Sequence, residues 1–282
     1  MFSLMLLAGV IRGIGYLVSK KISREKGSAQ AMALGNALVD TLISLPILLY
    51  FLVKPQGIQL YWGLIILAVI SAAAYGMSVA FQYAALKRID ISVMSIVLRL
   101  TILFSALMGI VFLGERLNIW NYLGLLIILI GNLIILWKGR KFALSAGIIF
   151  TLGSAFVAAV ASNLDKFILT KINSVFYVFL NSLLIAITLF ISKPKAIRES
   201  IQLIRKSFGV FLLMSLLTIS AWLLGSYVLQ NMDVSRFIPI QKTITLIIPV
   251  LFGITFFKEK QHWQQKLLGL TLAIVGIVMM YL

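Results

Sequence analysis

The sequence predicts an all-α integral membrane protein of ten transmembrane helices arranged as two inverted five-helix repeats. Composition is the first reason: the 282 residues are 61% hydrophobic and only 12% charged, with a mean hydropathy of +1.07, which no water-soluble domain could carry. The second is periodicity, because apolar runs of about 20 residues, the length that crosses a bilayer, follow one another with short gaps along the chain. The third is duplication. The stretch from Ala84 to Gly131 is written again from Tyr227 to Gly276 with two single-residue slips. Asp90 falls on Asp233, Ser92 on Ser235, Arg99 on Lys242, Gly109 on Gly253, Glu115 on Glu259, Gly124 on Gly269 and Gly131 on Gly276. A repeat of this length fixes an architecture before any local assignment is made.

Taken in order, the ten runs lie near 2–19, 30–52, 60–85, 91–113, 120–137, 144–167, 174–192, 207–230, 236–257 and 265–282. The first has neither a basic start nor a small-residue cleavage pattern, so it reads as a retained helix and not a signal peptide. The basic gap Lys138-Gly139-Arg140-Lys141 separates two five-span halves, 1–138 and 139–282. Five is odd, so the second half sits upside down relative to the first, the plan of many secondary carriers. Charge follows the same swap. In the first half the gaps after spans 1 and 3 are basic (Lys20, Lys21, Arg24, Lys26; Lys87, Arg88), whereas in the second half the gaps after spans 7 and 9 are (Lys193, Lys195, Arg198, Arg205, Lys206; Lys258, Lys260, Lys266). With Lys138, Arg140 and Lys141, one face collects 17 basic residues against 5 on the other (Lys54, Arg116, Lys166, Lys171, Arg236). The positive-inside rule then places both termini outside.

Several function classes fall away. The formal charge of +17 sits in the gaps, where it orients helices against anionic lipid, so nucleic acid is not the expected partner. Cysteine is absent and the one histidine, His262, lies in a gap, leaving neither a thiolate metal site nor a disulfide framework. No phosphate-binding glycine loop, metal-ligand cluster or paired-acid arrangement is present. The expectation is no cofactor, no metal and no enzyme, with transport driven by gradients or exchange.

Ionisable groups deep in hydrocarbon are the informative exceptions, since each costs about 2.5–3.5 kcal/mol to insert and persists only with a partner or a wet cavity. They are Arg12 in span 1, Asp40 in span 2, Arg99 in span 4 and Lys242 in span 9. Arg99 and Lys242 occupy equivalent repeat positions, so a pseudo-twofold brings them together as a clamp for an anion. The competing reading is that each pairs with an internal acid or a backbone carbonyl. Asp40 has no acidic counterpart, and a carboxyl that gains and loses a proton is the usual coupling device; paired to Arg12 or Arg99 it is instead structural. Asn36 and Asn181 match across the repeat and either touch substrate or bond neighbouring helices. Tyr75, Tyr83 and Trp222 lie within spans 3 and 8, able to wall a cavity or fill a core. Asp165 and Lys166 form a gate or an ion pair.

Other residues read as structural. Glu115 and Glu259 end spans 4 and 9 and fix the turns into spans 5 and 10. Asp90 and Asp233 begin spans 4 and 9, where an acid caps free amides. Gly124 with Gly131, and Gly269 with Gly276, each lie on one helix face and make spans 5 and 10 packing helices or a dimer face. Pro239 and Pro249 flank Lys242 and free carbonyls there. Trp62, Trp120, Trp137 and Trp263 fall at span ends as an aromatic belt requires.

The YAALKRIDIS end of span 3, the Gly114-Glu115-Arg116-Leu117 end of span 4, the glycine-spaced span 5 and the second copy ending Lys258-Glu259-Lys260 resemble the drug/metabolite transporter superfamily, EamA-type, over nearly the whole chain. Gly13, Gly15 and Lys20 of span 1 and Asn163 and Lys166 of span 6 match its opening helices more loosely. The resemblance implies a central cavity lined by spans 1–4 and 6–9, alternating access of a small metabolite and cytoplasmic termini, opposite to the charge count. The combined expectation is a multi-pass secondary carrier of the cell membrane for a small anionic or zwitterionic metabolite, proton-coupled through Asp40, possible as a homodimer. An exporter of cationic or amphipathic compounds is the rival within transport; a non-transporting membrane enzyme or lipid-handling protein is the rival outside it.

Overall fold

The computed structural model describes residues 1–22, 27–53, 61–89, 94, 97–136, 145–255 and 263–281. Among them the chain is helical, with eleven helices and no strand: α1 (Phe2–Ile22), α2 (Ala29–Val53), α3 (Trp62–Leu86), α4 (Leu100–Leu113), α5 (Ile119–Leu136), α6 (Ala146–Leu169), α7 (Ser174–Ser192), α8 (Ala196–Lys206), α9 (Phe208–Gln230), α10 (Val234–Thr255) and α11 (Trp263–Tyr281). Five of them, α2, α3, α6, α7 and α9, are long and apolar enough to cross a membrane, and α1, α4, α5 and α11 carry shorter apolar stretches. Asp90, Glu259, Lys138–Lys141, Lys258, Lys260, His262 and Trp137 lie outside the described residues, as does the side chain of Pro249.

The outward surface is apolar. Leu52, Ile66, Phe112, Ile119, Ile149 and Ile191 are among many large hydrophobic side chains exposed on it, far beyond the few hundred Å² of contiguous apolar surface a soluble monomer shows. Lipid is the solvent such a wall requires. Trp62 and Trp120 stand exposed at the starts of α3 and α5.

Local chemistry sets the helix ends. Asn173 accepts hydrogen bonds from the amides of Val175 (2.9 Å) and Phe176 (3.4 Å) and starts α7. Ser145 caps α6 through the Ile148 amide at 3.4 Å. Gly114, at φ 66°, ends α4 in the left-handed conformation that glycine enters without steric cost.

Helix α8, in a gap read as connecting loop, is an addition to the expected elements. Its sequence AIRESIQLIRK buries Ala196, Ser200 and Leu203 and exposes Arg198, Arg205 and Lys206. It lies against the start of α2: Ser200 donates to the Ala31 carbonyl at 2.9 Å, and Glu199 accepts from the Ser28 amide (2.7 Å) and hydroxyl (2.5 Å).

The principal packing pairs come in matched sets when the two halves are exchanged: α1 with α9 and α6 with α3, α1 with α10 and α6 with α4, α3 with α7 and α9 with α2. Three pairs map onto themselves: α2 with α7, α4 with α10, α5 with α11. The last is the closest. A Cβ on Gly124 would stand 2.8 Å from the Gly276 carbonyl, and one on Gly131 would stand 2.8 Å from the Gly269 carbonyl. Early residues of α5 therefore meet late residues of α11, so the two run antiparallel with backbone against backbone. The glycine faces are occupied within one chain, which is the packing alternative and removes them as a face for a second copy.

Among the described residues two large apolar cores close the bundle, beside a small third cluster of Ile135, Leu246 and Leu270. One, built on Met5, Phe51, Leu64, Leu169, Tyr177 and Phe237, packs the end where α1 starts. The other, built on Ile22, Met32, Tyr83, Leu189, Leu203 and Phe211, packs the basic end beneath α8.

Candidate substrate cavity

Between these cores lies a small, partly open polar cavity. Residues of α1, α3, α4, α6, α7, α9 and α10 line it. Gly9 lets α1 approach α10 closely enough that a Cβ there would fall 2.6 Å from Ile244. One turn on, Arg12 faces the same partner and donates to Gln241 at 3.4 Å. Lys242, the next residue of α10, lines the cavity with Arg12.

The anionic group in this cavity is Asp165 of α6. Its Oδ1 accepts from the hydroxyls of Ser71 and Tyr177, each at 2.5 Å, and it lies within electrostatic reach of Arg12. Lys242 lies within reach of both Arg12 and Arg99. Three basic side chains and one acid therefore meet in the interior. Tyr75 and Trp222 form an aromatic wall, ring centroids 5.9 Å apart. Asn181 also lines the cavity, its Oδ1 buried with no hydrogen-bond partner among the described residues.

Not every expected residue is here. Arg99 precedes α4 and turns a guanidinium N–H to the backbone carbonyl of Lys242 at 2.7 Å; it sits behind the cavity wall and is absent from the lining. The expected face-to-face pair of Arg99 and Lys242 is thus replaced by Arg12 and Lys242, because equal depth in two repeats does not make two side chains point at each other. Pro239 frees the carbonyl four residues before it, at Ser235, so the carbonyl Arg99 uses is not one that this proline releases. Asp40 stands apart from the cavity beside Ser215 of α9. Asn36, one turn away on α2, donates to the Tyr83 hydroxyl at 2.7 Å in the core at the basic end, so neither Asn36 nor Tyr83 reaches the cavity.

Asp165 and Lys166 are not a pair. Neighbouring helical residues point about 100° apart, and while Asp165 faces the cavity, Lys166 donates to the carbonyls of Leu229 (3.0 Å) and Gln230 (3.2 Å), neutralising the C-terminus of α9. Glu115 also does something other than fix its own turn. It reaches into the second half, where its oxygens accept from the amides of Val234 (2.7 Å) and Ser235 (2.9 Å) and cap α10. Asp233, expected in that capping role, instead lies near Lys166. Gly109 makes the reach possible, since a Cβ there would collide with the Glu115 carboxylate.

Sequence reasoning missed Ser71, Tyr177 and Gln241. A signal existed for each: Ser71 lies one turn before Tyr75, Tyr177 one turn before Asn181, and Gln241 beside Lys242, so polar side chains cluster on the faces already singled out.

An apolar-walled helical bundle enclosing a polar cavity defines a multi-pass membrane protein. A solved structure described only as "Crystal structure of protein" superposes on it with a TM-score of 0.69, covering 99% of this chain and 97% of that one at 15% identity, which establishes the shared fold. No curated protein matches. The EamA-like transporter family matches residues 1–137 and again 145–282; the chain belongs to that family.

Proposed function

We propose that the protein is a secondary carrier moving a small anionic or zwitterionic metabolite across the cell membrane by alternating access. Its frame is ten membrane-crossing helices in two inverted five-helix units, 1–138 and 139–282. The matched packing pairs and the antiparallel α5–α11 contact support that reading, with α8 as a surface helix outside the count.

One observation carries the substrate class: among the described residues Arg12 and Lys242 line the cavity beside a single acid, Asp165, with Arg99 within electrostatic reach of Lys242. A site with more cations than carboxylates draws a carboxylate or phosphate, with the guanidinium offering its planar fork and the ammonium a compact charge. Asp165 and the Asn181 oxygen give an ammonium group somewhere to bind, and the Tyr75–Trp222 wall takes an apolar portion. A cationic or amphipathic cargo would meet Arg12 and Lys242 as repulsion.

Asp40 is the proton carrier in this scheme. It is buried beside Ser215, away from the cavity cations, so charge on it is best offset by a proton taken from one side and released to the other.

The test is a thermal-shift screen of purified protein against metabolites grouped by charge, since a ligand bound only by the folded state raises the melting temperature, followed by uptake of the hits into liposomes. Stabilisation by anions and zwitterions with gradient-driven uptake is the expected result. Stabilisation by cations alone, or binding without flux, removes the proposal.

A further inference from the structure

A second, open groove lies at the basic end of the bundle, away from the substrate cavity. Its rim is cationic: Lys87 and Arg88 follow the last turn of α3, and Lys193 follows α7. One wall is apolar, formed by Ala80, Phe81 and Ala84 of α3 and Phe150 of α6, and Ser28, Ala29 and Gln30 at the start of α2 complete the lining. Lys87 spends one donor on the Gly27 carbonyl. Arg88 spends one on the Ala84 carbonyl at 2.8 Å and lies over the Phe150 ring, 4.9 Å from its centroid. An ammonium has three donors and a guanidinium five, so both keep donors free for a ligand. Among the described residues the acid within reach, Glu199, is committed to Ser28 and offsets a single charge of the three.

A cationic rim above an aromatic slot, set where a membrane helix meets water, is complementary to one kind of molecule: a phosphodiester with an acyl chain attached. A soluble anion would use the rim and leave the slot empty. We propose that this groove is a binding site for an anionic phospholipid, with the phosphate held by Lys87, Arg88 and Lys193 and the first part of an acyl chain lying along Phe81 and Phe150.

The experiment uses the full chain in phosphatidylcholine nanodiscs with phosphatidylglycerol titrated in. Lipid retention is read by native mass spectrometry and stability by thermal shift. Phosphatidylglycerol should be retained preferentially and raise the melting temperature. Arg88→Gln and Lys193→Gln should each weaken retention about fivefold, the usual contribution of one basic side chain to an anionic headgroup, with the melting temperature in pure phosphatidylcholine unchanged. Lys193→Gln alone, at an exposed position, keeps the test valid if the Arg88 variant folds poorly. Equal retention of the two lipids, indifference to both substitutions, or equal stabilisation by inorganic phosphate without lipid would each overturn the proposal.

Discussion

At the scale of single residues, the proposed substrate chemistry rests on Arg12 and Lys242. A hydrogen bond to a charged group is worth about 1.5–3 kcal/mol, so Arg12→Gln and Lys242→Gln should each lower uptake of an anionic substrate tenfold or more, with helical content by circular dichroism unchanged. Arg99→Gln should act differently, because its bond runs to the α10 backbone: loss of thermal stability should accompany loss of transport. Asp40→Asn should abolish the dependence of accumulation on an imposed pH gradient while exchange of labelled substrate continues, and accumulation persisting in the variant would exclude the proton role. The sequence made the depth of Arg12, Arg99, Asp40 and Lys242 legible, because depth is a count of residues along a run. It left direction unread. Arg99 and Lys242 align in the repeat, yet one turns its head group to backbone and the other to the cavity. Asp165 was obscured by its neighbour, since adjacent opposite charges look like a pair although a helix points them apart.

Among the elements, the helix ends carry most of the tertiary information. Glu115 replaces a local cap with a long-range one, and caps are worth about 0.5–2 kcal/mol, so Glu115→Ala should lower stability by an amount in that range in a denaturation series. Gly109→Ala should cost about 1–3 kcal/mol, the usual penalty for overpacking, because the new methyl displaces the same carboxylate. The repeated glycine and glutamate were visible in the sequence; that they serve one contact, made to the opposite half, was not, since nothing in a linear repeat says which helix a terminal side chain will meet. Helix α8 was missed because a short amphipathic segment has the composition of a loop. Its tie to α2 is pH-sensitive. The Ser28 hydroxyl and amide, foremost the hydroxyl, hold the Glu199 carboxyl below its ordinary value. A depressed acid contributes stability that is present above the unfolded value and lost as pH falls through the folded one. Acidification below the ordinary glutamate range should therefore loosen α8 in hydrogen exchange, and Glu199→Gln should remove that pH dependence.

For the whole molecule, composition and the internal repeat predict a duplicated bundle, and the principal helix pairings support that reading. The antiparallel meeting of Gly124 with Gly276 and Gly131 with Gly269 bears on how such a body could change shape. In the proposed carrier these two rods, touching backbone to backbone with Ile128, Ile135 and Met280 locked in beside the glycines, act as an axle, so large displacements belong to the helices farther out. On that proposal the tie from Glu115 to the start of α10 lies on a moving part and lets go when that end opens. The native chain has no cysteine, so paired thiols introduced at either place can be bridged without background. A bridge across the α5–α11 seam should leave turnover intact, and one holding Glu115 to Val234 should halt it; arrest by the first alone would put the pivot somewhere else.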